Sequence, residues 1–139
     1  MKRYIQVLLA LLGPASFAES GKPTSYYNQI RPIFQAKCHG CHQPAKSKGK
    51  YVMTIFDRML AGGDSGDPAI VAKQPDKSAL LSLITPEKGE AEMPRKDKPL
   101  HETEIDLIRQ WIAQGAIDDT PTNAEAAEKA ADLIAEKLK

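Results

Sequence analysis

The sequence is poor in cysteine, aromatic residues, net charge and long apolar runs. Two cysteines among 139 residues exclude a disulfide-dense scaffold. With 19 basic against 18 acidic residues, the total charge gives no footprint for nucleic-acid binding. Aromatic residues make up 6% of the chain, thin for a core of this size, so a further apolar body is expected to fill it. No stretch reaches the ~20 apolar residues needed to span a bilayer. Length excludes a multidomain enzyme, since a domain takes ~100–200 residues. The 42% apolar and 27% charged residues exclude a wholly disordered chain.

The first residues have the layout of a secretory signal peptide. Lys2 and Arg3 precede the apolar run Ile5 to Leu12, and Ser16-Phe17-Ala18 places small residues at a cleavage site. Cleavage is expected after Ala18, which leaves residues 19–139 slightly acidic overall. No cysteine follows at once, which argues against a lipoprotein. The expected division is therefore residues 1–18 as a cleaved signal, 19–120 as one domain and 121–139 as a C-terminal amphipathic helix.

The mature chain reads as four or five short helices joined by long loops. Thr24 or Ser25 can cap a helix through Lys37 that kinks or restarts at Pro32. Residues 38–50 read as loop. Thr54 with Asp57 has the spacing of a capping box for a helix ending at Gly62-Gly63. Asp76 can cap a helix that buries Ala79, Leu80, Leu83 and Ile84. Ile105, Ile108, Trp111 and Ile112 recur at helical spacing before Gly115, with His101 at the N-cap. Thr122 and Glu125 form another capping box, opening a helix to about Lys137 with Ala127, Ala131, Ile134 and Leu138 on one stripe that is expected to pack back on the domain. No alternating run argues for a strand. Loops this long in so small a domain are expected to hold something.

Cys38-His39-Gly40-Cys41-His42 is a C-x-x-C-H motif, the mark of c-type haem attachment. Two thiols three positions apart can add to the two vinyl groups of one porphyrin, and the histidine after the second offers its imidazole to the iron. A thioredoxin-like redox pair would need a βαβ pattern, absent here. A zinc site would need a second Cys/His pair, and His101 is the only other histidine. A structural disulfide across so short a loop would close little chain entropy. For the distal iron ligand, Met53 and Met59 suit core filling, while Met93 lies in a loop before Pro94 and can supply a thioether. His101 is the alternative distal ligand. Ile33, Phe34, Leu80, Leu83, Ile84, Ile105, Ile108, Trp111 and Ile112 are expected to pack around the haem and one another, with Trp111 in the core or on the haem wall.

These pieces resemble a class I c-type cytochrome, and more narrowly the planctomycete-type cytochrome c domain. The resemblance is carried by Ile33-Phe34 and Lys37 through His42, Ala61-Gly62-Gly63-Asp64-Ser65-Gly66, Ala69-Ile70-Val71, Pro75 through Leu81, Met93-Pro94 and Glu104-Ile105 through Gly115-Ala116. It departs from the family at Ala72-Lys73, Arg95 and His101, all outside the haem-binding positions. The resemblance implies an all-α cytochrome c-like fold wrapped around one haem c. It implies thioethers at Cys38 and Cys41, His42 as proximal ligand and Met93 as distal ligand.

The function expected from these readings is an exported, soluble, single-haem electron carrier, placed in the periplasm and monomeric. The alternatives are a haem gas sensor or redox enzyme with an open distal site, or an electron-transfer subunit docked in a larger complex. Four lysines and no acid lie between Lys37 and Lys50, and Arg95, Lys96 and Lys98 follow Met93. They form either a solvated surface or a basic rim that steers acidic redox partners.

Overall fold

A computed structural model describes residues 21–138. The expected signal peptide and its cleavage after Ala18 lie outside the described residues. Five α-helices follow in order: α1 (Arg31–Lys37), α2 (Phe56–Ala61), α3 (Ala79–Ile84), α4 (Glu102–Ala113) and α5 (Thr122–Lys137). A π-helical turn, Tyr26–Ile30, leads into α1. The all-α expectation holds apart from a minimal hairpin, β1 (His42–Gln43) against β2 (Lys46–Ser47). No helix among the described residues is long and apolar enough to cross a membrane.

The chain enters through a capped turn. The Ser25 hydroxyl accepts the Asn28 N–H at 3.0 Å, and the helix restarts with Pro32 in the first turn of α1, where its missing N–H costs nothing. Three other caps differ from the sequence reading. Ile55 stands at the N-cap of α2, and the Thr54 hydroxyl is buried without a hydrogen bond. Asp76 does not cap α3 but lies 4.0 Å from the Arg109 guanidinium. Pro121, not Thr122, stands at the N-cap of α5. In each case the N-cap falls one or two residues away from the expected one. Ser78, the N-cap residue of α3, folds back instead: its hydroxyl accepts the Val71 N–H at 2.9 Å and donates to the Gln74 carbonyl at 3.1 Å.

The core gathers the scarce aromatic residues in one place. Trp111 of α4 stacks on Tyr26 at 5.4 Å and meets Phe34 and Phe56 edge-on at 6.4 and 6.1 Å. Its indole N–H donates to the Ile117 carbonyl at 2.9 Å. Trp111 is thus a core residue. Gly115, at φ +117°, ends α4 and turns the chain so that this carbonyl returns to the indole. Of the residues expected inside, all but Ala79 and Leu83 are buried; these two are half-buried, and Leu81 is buried on α3 instead. Helix α5 departs most from expectation. Leu133, Ile134 and Leu138 are exposed, so its apolar stripe does not pack back on the domain.

Candidate functional site

The C-x-x-C-H segment grows directly out of α1. The N–H groups of Cys38 and His39 both donate to the Phe34 carbonyl, at 2.8 and 3.0 Å. Those of Cys41 and His42 donate to Cys38, both at 3.0 Å. One tight turn therefore continues the helix and sets both thiols and the imidazole on a single short arc. Phe34, fully buried, pins this arc to the core. The chain then closes behind the motif: Lys48 N–H donates to the Cys41 carbonyl at 3.1 Å and Met53 N–H to the His42 carbonyl at 2.9 Å. Met53 and Met59 are both core methionines, as expected.

Glycine makes the next crossing possible. Gly63 lies so close to the Gly49 carbonyl that any Cβ would collide with it, and Asp64 N–H donates to that carbonyl at 2.8 Å. The Gly-Gly loop is thereby strapped across the back of the motif segment.

His42 is half-buried, with its Nδ1 shut off from solvent and without a hydrogen bond. Burial lowers its pKa below the ordinary histidine value, and the backbone of Tyr51 and Lys48 only partly offsets this. At neutral pH the ring is therefore an uncharged imidazole, the form that binds a metal. The Tyr51 ring lies 5.2 Å from it, held by a hydroxyl that donates to the Met59 carbonyl at 2.9 Å. Burial pushes the Cys38 thiol up to about 12, against the pull of neighbouring Lys37. A redox-active C-x-x-C depends on a lowered thiol pKa, so this environment argues against a thioredoxin-like role.

Met93 is half-buried against the same core as Cys38. Its N–H donates to the Leu83 carbonyl at 2.9 Å, and its peptide bond to Pro94 is cis. The link between the two predicted ligand segments is an ion pair. Lys37, the residue before Cys38, places its ammonium 2.9 Å from the Asp97 carboxylate, four residues past Met93. His101, the alternative ligand, is exposed. Its ring Nδ1 is 3.0 Å from the Thr103 hydroxyl, and its backbone N–H donates to the Glu104 carboxylate at 2.7 Å. It serves the start of α4.

Sequence reasoning missed Tyr51 as the neighbour of His42, and it placed Lys37 in a basic rim. Neither had a local signal, because each acquires its role from a contact made by the folded chain. Among the described residues no cluster of three or more His, Cys, Asp or Glu side chains could hold a bare metal ion. A half-buried neutral imidazole with an unsatisfied nitrogen, the two thiols of one C-x-x-C turn and a half-buried thioether packed on the core fit a haem.

Compared with known proteins, residues 38–97 match the family model described as Planctomycete cytochrome C. The match starts at the first motif cysteine and ends at the partner of Lys37. No curated protein and no solved structure matches the chain.

Proposed function

From a chain whose residues 38–97 carry a planctomycete-type cytochrome c domain, and hence a family that implies haem c, we propose an exported single-haem electron carrier of the periplasm. The observation that carries the reading is His42: a neutral, half-buried imidazole with an unsatisfied nitrogen, fixed on the arc that also bears Cys38 and Cys41. Bound haem supplies an iron that takes up and releases one electron. Cys38 and Cys41 would tether it as thioethers, and His42 would supply an imidazole nitrogen to the iron. Met93 would supply a thioether sulfur, which would favour the ferrous state relative to a second imidazole. The chain's part in electron transfer is to keep both ligands in place so that little rearranges between redox states. No nucleophile paired with a base is part of this site, and the reading assigns no bond-making chemistry.

Exposed Lys46, Lys48 and Lys50 follow the motif, and exposed Arg95, Lys96 and Lys98 follow Met93. These cations form the rim that meets an acidic redox partner. Electron-transfer rates then fall as salt is added. The protein carries electrons as a monomer. A docked-subunit version is favoured by one observation, the exposed Leu133, Ile134 and Leu138 of α5.

The test is an absorption spectrum of the purified holoprotein in both redox states, with and without carbon monoxide. Ferrous protein inert to carbon monoxide, with the weak far-red sulfur-to-iron band in the ferric state, is expected. Ready carbon monoxide binding would contradict Met93 ligation and favour a sensor or enzyme with an open distal site.

A further inference from the structure

Between Met93 and buried Leu100 the chain reads Pro94-Arg95-Lys96-Asp97-Lys98-Pro99 and is exposed from Arg95 onward. Among the described residues, hydrogen bonds tie this stretch to the body of the protein through one side chain, Lys37. Its ammonium donates to Asp97 Oδ2 at 2.9 Å and reaches the Lys98 carbonyl at 3.5 Å. The other carboxylate oxygen of Asp97 accepts the Lys98 N–H at 2.7 Å, which fixes the carboxylate within its own turn. Asp97 is the single acid among three cations, so it fits poorly in a surface that attracts acidic partners. Lys37 is also unlike the rim lysines: only 21% of its side chain is exposed. The acid here pairs with the residue that precedes Cys38, and without it the loop would offer Lys37 no carboxylate, since Arg95, Lys96 and Lys98 are its other charged residues.

We infer that Lys37 and Asp97 form the latch that holds the distal-ligand loop closed over the site, so that the pair sets how often Met93 leaves the iron. The inference rests on the Cys38/Cys41/His42/Met93 reading above. Lys37 and Asp97 are positioning residues: they act on ligation through the loop and touch no reacting atom. The apparent affinity of any external ligand that must replace Met93 scales with the fraction of open loop. Breaking an exposed pair shifts such an equilibrium by a few-fold, and the leftover repulsion adds to it.

The experiment is a titration of the ferric holoprotein with imidazole, followed by absorbance. At low salt, Asp97→Asn binds imidazole about threefold more tightly than wild type, and Asp97→Lys more tightly still. Asp97→Glu, which keeps the charge, stays near wild type. In 1 M NaCl the wild type moves toward Asp97→Asn as the pair is screened. Thermal unfolding, measured alongside, stays close to wild type for Asp97→Asn, whereas a merely structural role would move the unfolding temperature and leave imidazole affinity unchanged. Equal imidazole affinity in wild type and Asp97→Asn, with the sulfur-to-iron band present in both, overturns the latch alone. A wild type without that band overturns the ligation reading, and the latch with it.

Discussion

Residues 38–53 are held to the protein by backbone bonds from Cys38 and His39 to Phe34 and by the Gly49–Asp64 crossing, and are closed on themselves by bonds from Lys48 to Cys41 and from Met53 to His42. Residues 94–99, by contrast, reach the rest of the molecule through the Lys37 side chain. A ligand on the first segment is preorganised by main-chain geometry, which substitution of surface residues hardly touches. A ligand at the edge of the second is held by its own local bond to Leu83 and by one ion pair open to solvent. The two segments proposed to bear the iron ligands therefore answer to different variables: the motif segment to core packing, the Met93 loop to charge and salt.

The strongest way to break this contrast is to loosen the proximal anchor from beneath. Phe34→Ala removes a fully buried ring under the motif arc and is expected to cost about 3–5 kcal/mol, read by denaturant unfolding. Next is the crossing behind the motif. Gly63→Ala drives a Cβ into the Gly49 carbonyl and is expected to cost about 1–3 kcal/mol in the same assay, because backbone must shift.

A smaller effect comes from Asp119, whose carboxylate accepts the Tyr27 N–H at 2.7 Å and fastens the start of the fold to its end. Burial raises its pKa, but hydrogen bonds from Ser25 and the Tyr27 backbone outweigh this and hold it below the ordinary value. Its contribution is therefore complete above the unfolded pKa of about 3.9 and disappears as pH falls through and below that value. Asp119→Asn is expected to cost about 0.5–1 kcal/mol at pH 7, the low end for a cap because the carboxylate is exposed. That difference should shrink progressively in unfolding curves taken at falling pH below about 3.9. The smallest effect belongs to the distal loop. Lys96→Ala is expected to leave stability within about 0.5 kcal/mol of wild type, since the side chain is exposed. A large loss there would remove the contrast.

Much of this was legible in the sequence where chemistry is local. The motif named its own residues, Pro32 marked the restart of the first helix, and the spacing from Ile105 to Ile112 gave α4. The capping assignments at Thr54, Asp76 and Thr122 failed because a capping residue does not by itself fix the first helical residue: the caps fall at Ile55, Ser78 and Pro121. Leu81 replaced Leu83 in the core because α3 is only six residues long, too short for period alone to set its buried face. The stripe on α5 has helical spacing, but a period does not name the surface that should cover it. Tyr51 beside His42 and the pairing of Lys37 with Asp97 were invisible for the same reason: both are contacts across the fold.

In the proposed site Met93, and neither core methionine, is the second ligand of the iron. Proton NMR of the ferrous holoprotein separates the three, because a methionine methyl bound beneath the porphyrin is shifted far upfield by the ring current. One such methyl is predicted, present in wild type, Met53→Leu and Met59→Leu and lost in Met93→Leu. Its survival in Met93→Leu, or its absence from wild type, would contradict the account.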